Sequence, residues 1–297
     1  MKEIRTEKNA VAAGTLYLVA TPIGNLADIS ERAIKTLSEV DFVAAEDTRN
    51  SMKLLSCFGI RKPMISYFEH NKKTRGEEIV ARISSGESCA LVTDAGMPGI
   101  SDPGEDIVRL CVERGIPVTL VPGACAAVTA LVLSGLPTGK FVFEGFLPQK
   151  SGERDRRIAE LASETRTIIL YEAPHRLKNT LKALENGFGG DRRLSLCREL
   201  TKLNEEIFRT TLSDAVEYYE NNDPRGEYVL IIAGADGQKS EHSPTLSDPI
   251  AEVNALIDSG ISKNEAIKQV AKRLGVPKNT VYQQFLSSTE DENGDAQ

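Results

Sequence analysis

From Gly14 to Pro122, short unbroken apolar runs alternate with segments whose apolar residues recur at helical spacing. GTLYLVATPIGN starts as a run with no polar face and ends in a Gly/Pro turn. ISERAIKTLSEV places Ile29, Ala33, Ile34 and Leu37 on one side of a helix, with Ser30 or Asp28 able to cap it. DFVAAEDT, SCALVTDAG and IPVTLVPG read as further buried strands, and EEIVARISSG and EDIVRLCVERG as helices between them. Strands that are apolar throughout and alternate with helices predict a parallel sheet covered on both faces.

Beyond Ala124 the alternation loosens. Ala124 to Leu133 is a helix of small and apolar residues. FVFEGFLP, TIILYEAP, RRLSLCREL and GEYVLIIAGA read as strands, and RLKNTLKALENGFG as a helix with a Gly-rich stop. This predicts a second α/β domain with a mixed sheet. Asp236 to Pro249 is polar, with Pro and Ser, and reads as a linker. PIAEVNALIDSG, SKNEAIKQVAKRLG and PKNTVYQQFLSS then give helical patterns, the last two spaced like a helix-turn-helix. The expected division is an N-terminal α/β domain at 14–123, a second at 124–236 and a helical module at 250–287. Segments 1–13, 237–249 and 288–297 are expected to be flexible.

Composition narrows the function classes. A chain of 297 residues suggests about two domains. The net charge of -7 argues against indiscriminate nucleic-acid binding, although Lys72, Lys73 and Arg75, then Arg154, Arg156 and Arg157, then Lys263 to Lys278 form local basic clusters. Five scattered cysteines without a Cys-x-x-Cys pair exclude a disulfide framework and a thiolate zinc site, and fit a reducing cytoplasm. With three histidines, one in the linker, no metal site is expected. Aromatic residues at 5% and no Trp argue against an aromatic stacking platform for single strands. Ile116 to Gly139 carries no charge and is long enough to cross a bilayer, but Pro117, Pro122-Gly123 and Gly135-Leu136-Pro137 break it into a strand, a turn and a helix. No membrane span is expected.

Several polar sets sit where strands end. In a parallel sheet the ligand crevice lies outside the carboxyl ends of the strands. Ala20-Thr21-Pro22-Ile23-Gly24-Asn25 follows the first strand, and Thr93 to Gly104, dense in Gly, Pro and Asp, follows SCALVTD. Val121-Pro122-Gly123-Ala124-Cys125-Ala126-Ala127 leads a strand into a helix of small residues. Glu46-Asp47-Thr48-Arg49, Glu69-His70-Asn71, Glu172-Ala173-Pro174-His175-Arg176 and Arg198-Glu199-Leu200-Thr201-Lys202 complete the picture. Taken singly, the loop at Ala20–Asn25 reads more readily as a structural turn, the dense loop at Thr93–Gly104 as a ligand loop, and the other sets as either.

Together, ATPIGNLADIS, AAEDTR, TDAGMPGISDPG, VPGACAAVTAL, SGLP, FEGFLPQK, YEAPHR, RELTK and the late GE resemble the tetrapyrrole methylase superfamily, which uses S-adenosylmethionine. Within it, AAEDTR, EHN, FEGFLPQK, YEAPHR and RELTK resemble the branch that methylates the ribose 2′-hydroxyl of a cytidine in the decoding region of small-subunit (16S) ribosomal RNA. The resemblance runs from Gly14 to about Gly234. It resumes weakly in the small all-α, helix-turn-helix-like C-terminal module read from the pattern, and it implies two α/β domains of tetrapyrrole methylase type with the ligand cleft between them. It implies donor contacts from Thr21, Pro22, Asp94, Ala95, Gly96, Ile100, Ser101, Cys125, Ala126, Leu170, Tyr171, Leu200, Gly226 and Tyr228. Thr93, Met97 and Cys125 depart from the pattern, and Cys125 loses a hydroxyl donor.

A ribose hydroxyl is a weak acid, so a base or cation beside it helps transfer. The candidates are Glu46, Asp47, Glu172, His175, Glu199 and Lys202, and the sequence does not choose among them. Arg49, Arg176, Arg198 and Lys202 are expected on RNA phosphates, with His70 and Asn71 orienting an extruded nucleotide. The expected partners are small-subunit ribosomal RNA or its particle and a second copy of the chain, with no DNA and no membrane. Alternative readings are a methyltransferase acting on a tetrapyrrole or other small metabolite, and a ligand-sensing helix-turn-helix regulator.

Overall fold

The computed structural model describes residues 10–235 and, beyond them, 253–254, 256–257, 261–274, 278, 281–282 and 285. The chain divides into two compact units, Met1–Gly237 and Gln238–Gln297.

The first unit holds two sheets. β1 (Leu16–Val19), β2 (Phe42–Ala45), β3 (Met64–Ser66), β4 (Cys89–Val92) and β5 (Val118–Val121) are all parallel, in the order β3-β2-β4-β1-β5. The chain steps from β1 out to β3, then returns through β4 to β5. Right-handed crossovers make such a reversal change the face on which the connecting helices lie. Accordingly α1 (Glu31–Glu39) and α2 (Thr48–Cys57) bury Ala33, Leu37 and Leu55 against Tyr17, Val19, Val43 and Ala45. On the opposite face α3 (Lys72–Ser84) and α4 (Gly104–Glu113) bury Ile79, Val80, Ile83, Ile107 and Cys111 against Leu16, Leu18, Phe42 and Ala44. Adjacent β1 and β4 therefore feed helices on opposite faces, which opens a crevice at their carboxyl ends. The cap expected at Ser30 is present: its hydroxyl accepts from the Ala33 amide at 3.1 Å.

After α5 (Ala126–Leu133), the second sheet comprises β6 (Phe141–Phe146), β7 (Thr167–Glu172), β8 (Arg193–Arg198), β9 (Glu206–Thr211) and β10 (Tyr228–Ile232), in the order β6-β7-β10-β8-β9. β6 and β7 are parallel, and the remaining pairs antiparallel. α6 (Ser151–Leu161), α7 (Pro174–Phe188) and α8 (Leu212–Asn221) cover the face carrying Leu170, Leu196 and Tyr228. α5 covers the other face, with Ile169, Val229 and Ile231, and is joined there by Ile23 from the loop after β1. Because β6, β7 and β8 run the same way, their carboxyl ends and the start of β10 share one edge.

The structure adds elements that the pattern did not single out. β3 is only Met64–Ser66, too short to show periodicity. α2 buries Ser51 beside Leu55, and α6 is mostly charged, which blurs the helical stripe in each. The polar run after RELTK turns back into β9 before α8. Residues 11–13, expected to be flexible, are tied down. Val11 packs on the core beneath α1, and the Ala12 amide donates to the Tyr17 hydroxyl at 2.8 Å. Residues 1–9, 237–249 and 288–297 lie outside the described residues.

In the second unit α9 (Lys263–Leu274) buries Ala266, Ile267, Val270 and Ala271 against Val253, Val281 and Phe285. The turn expected at 275–277 lies outside the described residues. No described helix is long and apolar enough to cross a membrane.

Candidate active site

The quoted sequence segments converge on two facing edges of the first unit. Thr21 and Gly96 exchange backbone hydrogen bonds at 2.9 and 3.1 Å, which ties the loops after β1 and β4 together. The Thr21 hydroxyl is spent on the Thr93 carbonyl. Thr21 is buried, so it shapes the crevice rather than lining it. The β4 loop is held by Asp102, whose carboxylate accepts from the amides of Gly99, Ile100 and Gly104 at 2.7–3.2 Å. That leaves Ile100 and Ser101 at the exposed tip.

The loops reach across to the second sheet. A methyl group added at Gly24 would lie 2.4 Å from Lys202 Cγ, 2.8 Å from Thr201 Oγ1 and 3.0 Å from the Leu200 carbonyl. One added at Gly145 would lie 3.1 Å from Ser101 Oγ. Among the described residues, the only non-glycine residues with positive φ are Ser101, Glu199 and Thr201. All three belong to these facing loops. Left-handed backbone costs free energy in an L-residue and concentrates at functional sites.

The turn after β8 is braced electrostatically. Lys202 Nζ donates to Glu199 at 2.9 Å and to Glu227 at 3.1 Å, and Gly226 leaves room for the Glu199 side chain. Burial opposes the Lys202 charge, but the hydrogen bonds to Glu199 and Glu227 outweigh it and hold its pKa above that of an ordinary lysine. The same bond to Lys202 lowers the Glu199 pKa. Lys202 is therefore a cation, not a base, at neutral pH. Thr201 Oγ1 and Arg198 Nε are buried there without a partner, while another Arg198 nitrogen pairs with Glu206.

At the end of β2 and β4, carboxylates crowd together. Asp94 accepts from the Asp47 amide and from Asn50 Nδ2. Asp47 caps α2 and pairs with Arg49, whose side chain remains largely exposed. That pairing pulls the Asp47 pKa to about 2. Glu46 moves the other way: loss of hydration first, then the charges of Asp94 and Asp102, raise its pKa. A raised carboxylate pKa means that folding is opposed by ionisation, so the cost is present at neutral pH and vanishes as pH falls through the ordinary glutamate range. Glu46 is exposed, so solvent screens that cost, and Glu46→Gln is expected to raise the melting temperature at pH 7 only slightly and to match the parent in acid. A variant that is no more stable at pH 7, or whose advantage grows toward acid, contradicts this crowding.

Other sequence candidates have structural duties. Glu172 is 2% exposed and faces the α7 side. It accepts from the Ala173 amide at 2.9 Å and from the Thr180 hydroxyl at 2.5 Å, and pairs with Arg176 at 3.3 Å. A carboxylate so saturated and buried is not placed to take a substrate proton. Arg176, expected on phosphates, turns inward and donates to the Leu147 carbonyl at 2.7 Å. Asn71 closes the turn before α3, bonding the Phe68 amide and the Ser66 carbonyl, so its amide is not free to orient a nucleotide. Strand alternation sends the Leu170 and Tyr228 side chains to the α6–α8 face, away from the crevice. Leu200 is buried against α5.

Pro22, Cys125 and Ala126 are half-buried at the crevice, while Asp94, Ala95, His70 and His175 are exposed. Tyr171 faces the crevice side, and burial raises its pKa to about 12. Asp102 was not among the expected site residues, and Glu227 was expected only as part of the Gly226-Glu227-Tyr228 donor segment, not as the brace of Lys202. The Glu beside Gly226 and the Asp within a Gly-rich turn were the available signs. Among the described residues no group of three or more His, Cys, Asp or Glu could hold a metal.

Residues 15–216 match the family described as Tetrapyrrole (Corrin/Porphyrin) Methylases. A uroporphyrin-III C-methyl transferase from Thermus thermophilus, solved with S-adenyl homocysteine, superposes with TM-score 0.55 at 18% identity, over 74% of this chain and 97% of that one. The chain is 47% identical to the Ribosomal RNA small subunit methyltransferase I of Synechocystis sp. over 94% of its length and 99% of the relative's. It is 48% identical to the protein of that name from Halalkalibacterium halodurans, over 91% and 93%. By this likeness along nearly its whole length, the chain belongs to the ribosomal RNA small subunit methyltransferase I family of the tetrapyrrole methylases.

Proposed function

We propose that this protein transfers a methyl group from S-adenosylmethionine to the ribose 2′-hydroxyl of a cytidine in the decoding region of small-subunit (16S) ribosomal RNA. The observation that carries the reading is the near-full-length identity to relatives bearing the small-subunit name. The residues fit the donor. The crevice between β1 and β4 is flanked by Glu46, Asp94 and Asp102, which suits a ligand carrying a sulfonium and an ammonium. The first turn of α5 has no side-chain cap, which leaves its amides for a carboxylate or a heterocycle edge. Pro22, the 94–101 loop, Cys125, Ala126, Tyr171 and the Gly226 backbone are the surfaces that would hold it.

When bound, S-adenosylmethionine supplies an activated methyl group for in-line displacement, a reaction that needs no metal. The protein's part is alignment and charge. Holding reactants in line contributes up to ~7–11 kcal/mol in favourable cases. Lys202, held positive by Glu199 and Glu227, steadies the developing negative charge on the acceptor oxygen or an adjacent phosphate. Glu46, with its raised pKa, is the residue suited to take the hydroxyl proton. Arg49, Arg198 and His70 face the RNA. The protein acts in the cytoplasm as a homodimer. The outward side of α5, where Val128 and Val132 are 49% and 67% exposed, is apolar surface for the second copy.

The test offers labelled S-adenosylmethionine with unmodified small subunits, naked small-subunit RNA and a tetrapyrrole in parallel. Label on a cytidine ribose is the expected result. Label on the tetrapyrrole alone overturns the RNA reading and leaves the fold standing.

A further inference from the structure

β6 is irregular at one point, and that irregularity re-aims a ring. Phe143 pairs with Ile169 on β7, but the next pairs are Gly145 with Leu170 and Phe146 with Tyr171. Glu144 is thus an extra residue, a bulge, and Gly145 adopts φ +71° to close it. Side chains alternate along a strand, so without the bulge Phe146 would point with Val142 toward the α6–α8 face. The bulge turns it to the face of Phe143 and Tyr171 instead. Bulges next to active sites commonly re-aim a side chain in this way.

The surroundings hold the ring in place without covering it. Phe146 meets the Tyr171 ring at 5.6 Å and 60°, and Tyr171 in turn meets Phe143 at 5.2 Å. The extruded Glu144 is fixed by a two-pronged pairing with Arg157. Ser101, from the β4 loop, packs over Gly145. Yet Phe146 remains 53% exposed, at the carboxyl end of β6 on the edge that carries Lys202. An apolar ring anchored on one side and open on the other, beside a proposed RNA site, is suited to stack on a flat base.

We infer that Phe146 is a stacking face for the base of the acceptor nucleotide, presented by the β6 bulge. This inference rests on the proposed RNA methylation. It asks for one ring, not an extended platform, so it is compatible with the low aromatic content. Base–aromatic stacking is sequence-tolerant, so Phe146 sets how long an extruded nucleotide stays in the site rather than which base is chosen.

The experiment compares the parent with Phe146→Ala, Phe146→Leu and Phe146→Tyr on unmodified small subunits. It also measures S-adenosylmethionine binding by calorimetry and melting temperature. Phe146→Ala and Phe146→Leu are expected to raise KM for RNA by roughly five- to a hundredfold. Donor affinity and melting temperature should stay unchanged, and Phe146→Tyr should restore KM. The leucine arm separates a ring face from mere apolar area. Loss of donor affinity with KM for RNA intact assigns the ring to the donor's adenine and overturns the inference. An unchanged KM in Phe146→Ala overturns it equally. Failure of the parent itself to label RNA rejects the proposed function instead, so the two failures are distinct.

Discussion

Glu172→Ala is expected to destabilise the protein severely while leaving its chemistry nearly intact. Glu172 lies at the end of β7 and the start of α7, 2% exposed, and satisfies the Ala173 amide, the Thr180 hydroxyl and the Arg176 guanidinium. Truncation leaves a half-buried arginine without its carboxylate and a buried hydroxyl without its acceptor. Breaking a buried pair from one side costs ~3–5 kcal/mol. For a unit of this size that corresponds to a fall of roughly 6–20 °C in melting temperature. The folded fraction, assayed well below the new midpoint, should keep donor affinity and turnover within a few-fold of the parent. Glu172→Gln, which retains an acceptor and the side-chain volume, should lose much less. If turnover collapses while the melting temperature holds, Glu172 belongs to the chemistry after all and its placement here is wrong.

The Glu172 case shows where the sequence was legible and where it was not. Most of the first sheet is legible because β1, β2, β4 and β5 are apolar runs and helices such as α1, with Ala33 and Leu37, carry clean stripes, whereas the short β3 and the blurred α2 escape the pattern. The crevice follows from strand order, and strand order follows from handed crossovers, so loops quoted from the sequence land at the expected edge. The direction of individual side chains is less legible. The pattern TIILYEAP contains the alternation that separates Leu170 and Glu172 from Tyr171, but a Glu next to His-Arg looks chemical in one dimension. Arg176 and Asn71 fail the same way: polar residues at strand ends serve equally to close turns. The β6 bulge is not read from FVFEGF, which passes as a regular strand; the register slip against β7 and the Gly145 φ reveal it.

Charge has a similar history. The clusters at Lys72–Arg75 and Arg154–Arg157 look basic in sequence, yet Lys72 pairs with Glu69 and Asp106, and Arg157 with Glu144 and Glu160. Exposed pairs of this kind contribute little to stability, but they do reduce the positive field available to RNA. Arg49, its side chain 83% exposed beside Asp47, and Lys202, held between Glu199 and Glu227, are paired in the same way, each within its own turn.

The largest functional effect is expected from the smallest substitution, Gly24→Ala. Gly24 is exposed on the loop after β1, and its φ is not positive, so an alanine is free of backbone strain. The obstacle is space. The added methyl would meet Lys202 Cγ, Thr201 Oγ1 and the Leu200 carbonyl at 2.4, 2.8 and 3.0 Å, all well inside van der Waals contact. The carbonyl belongs to a turn that already spends positive φ at Glu199 and Thr201, so it has little freedom to yield. The loop must withdraw, or Lys202 must leave Glu199 and Glu227. Either movement spoils the alignment between crevice and cation, and misplacement by about 1 Å can cost ~10²-fold in rate. Overpacking itself costs ~1–3 kcal/mol, well below the loss expected for Glu172→Ala. The signature is therefore a hundredfold or greater fall in kcat with a modest drop in melting temperature, the inverse of the Glu172→Ala pattern. Gly59→Ala, at a turn where φ is +69° and nothing lies within 4 Å, is the control for a glycine lost elsewhere. It should cost stability alone. Equal activity in Gly24→Ala and the parent would mean that the contact between the β1 loop and the Thr201 turn does not position the reaction.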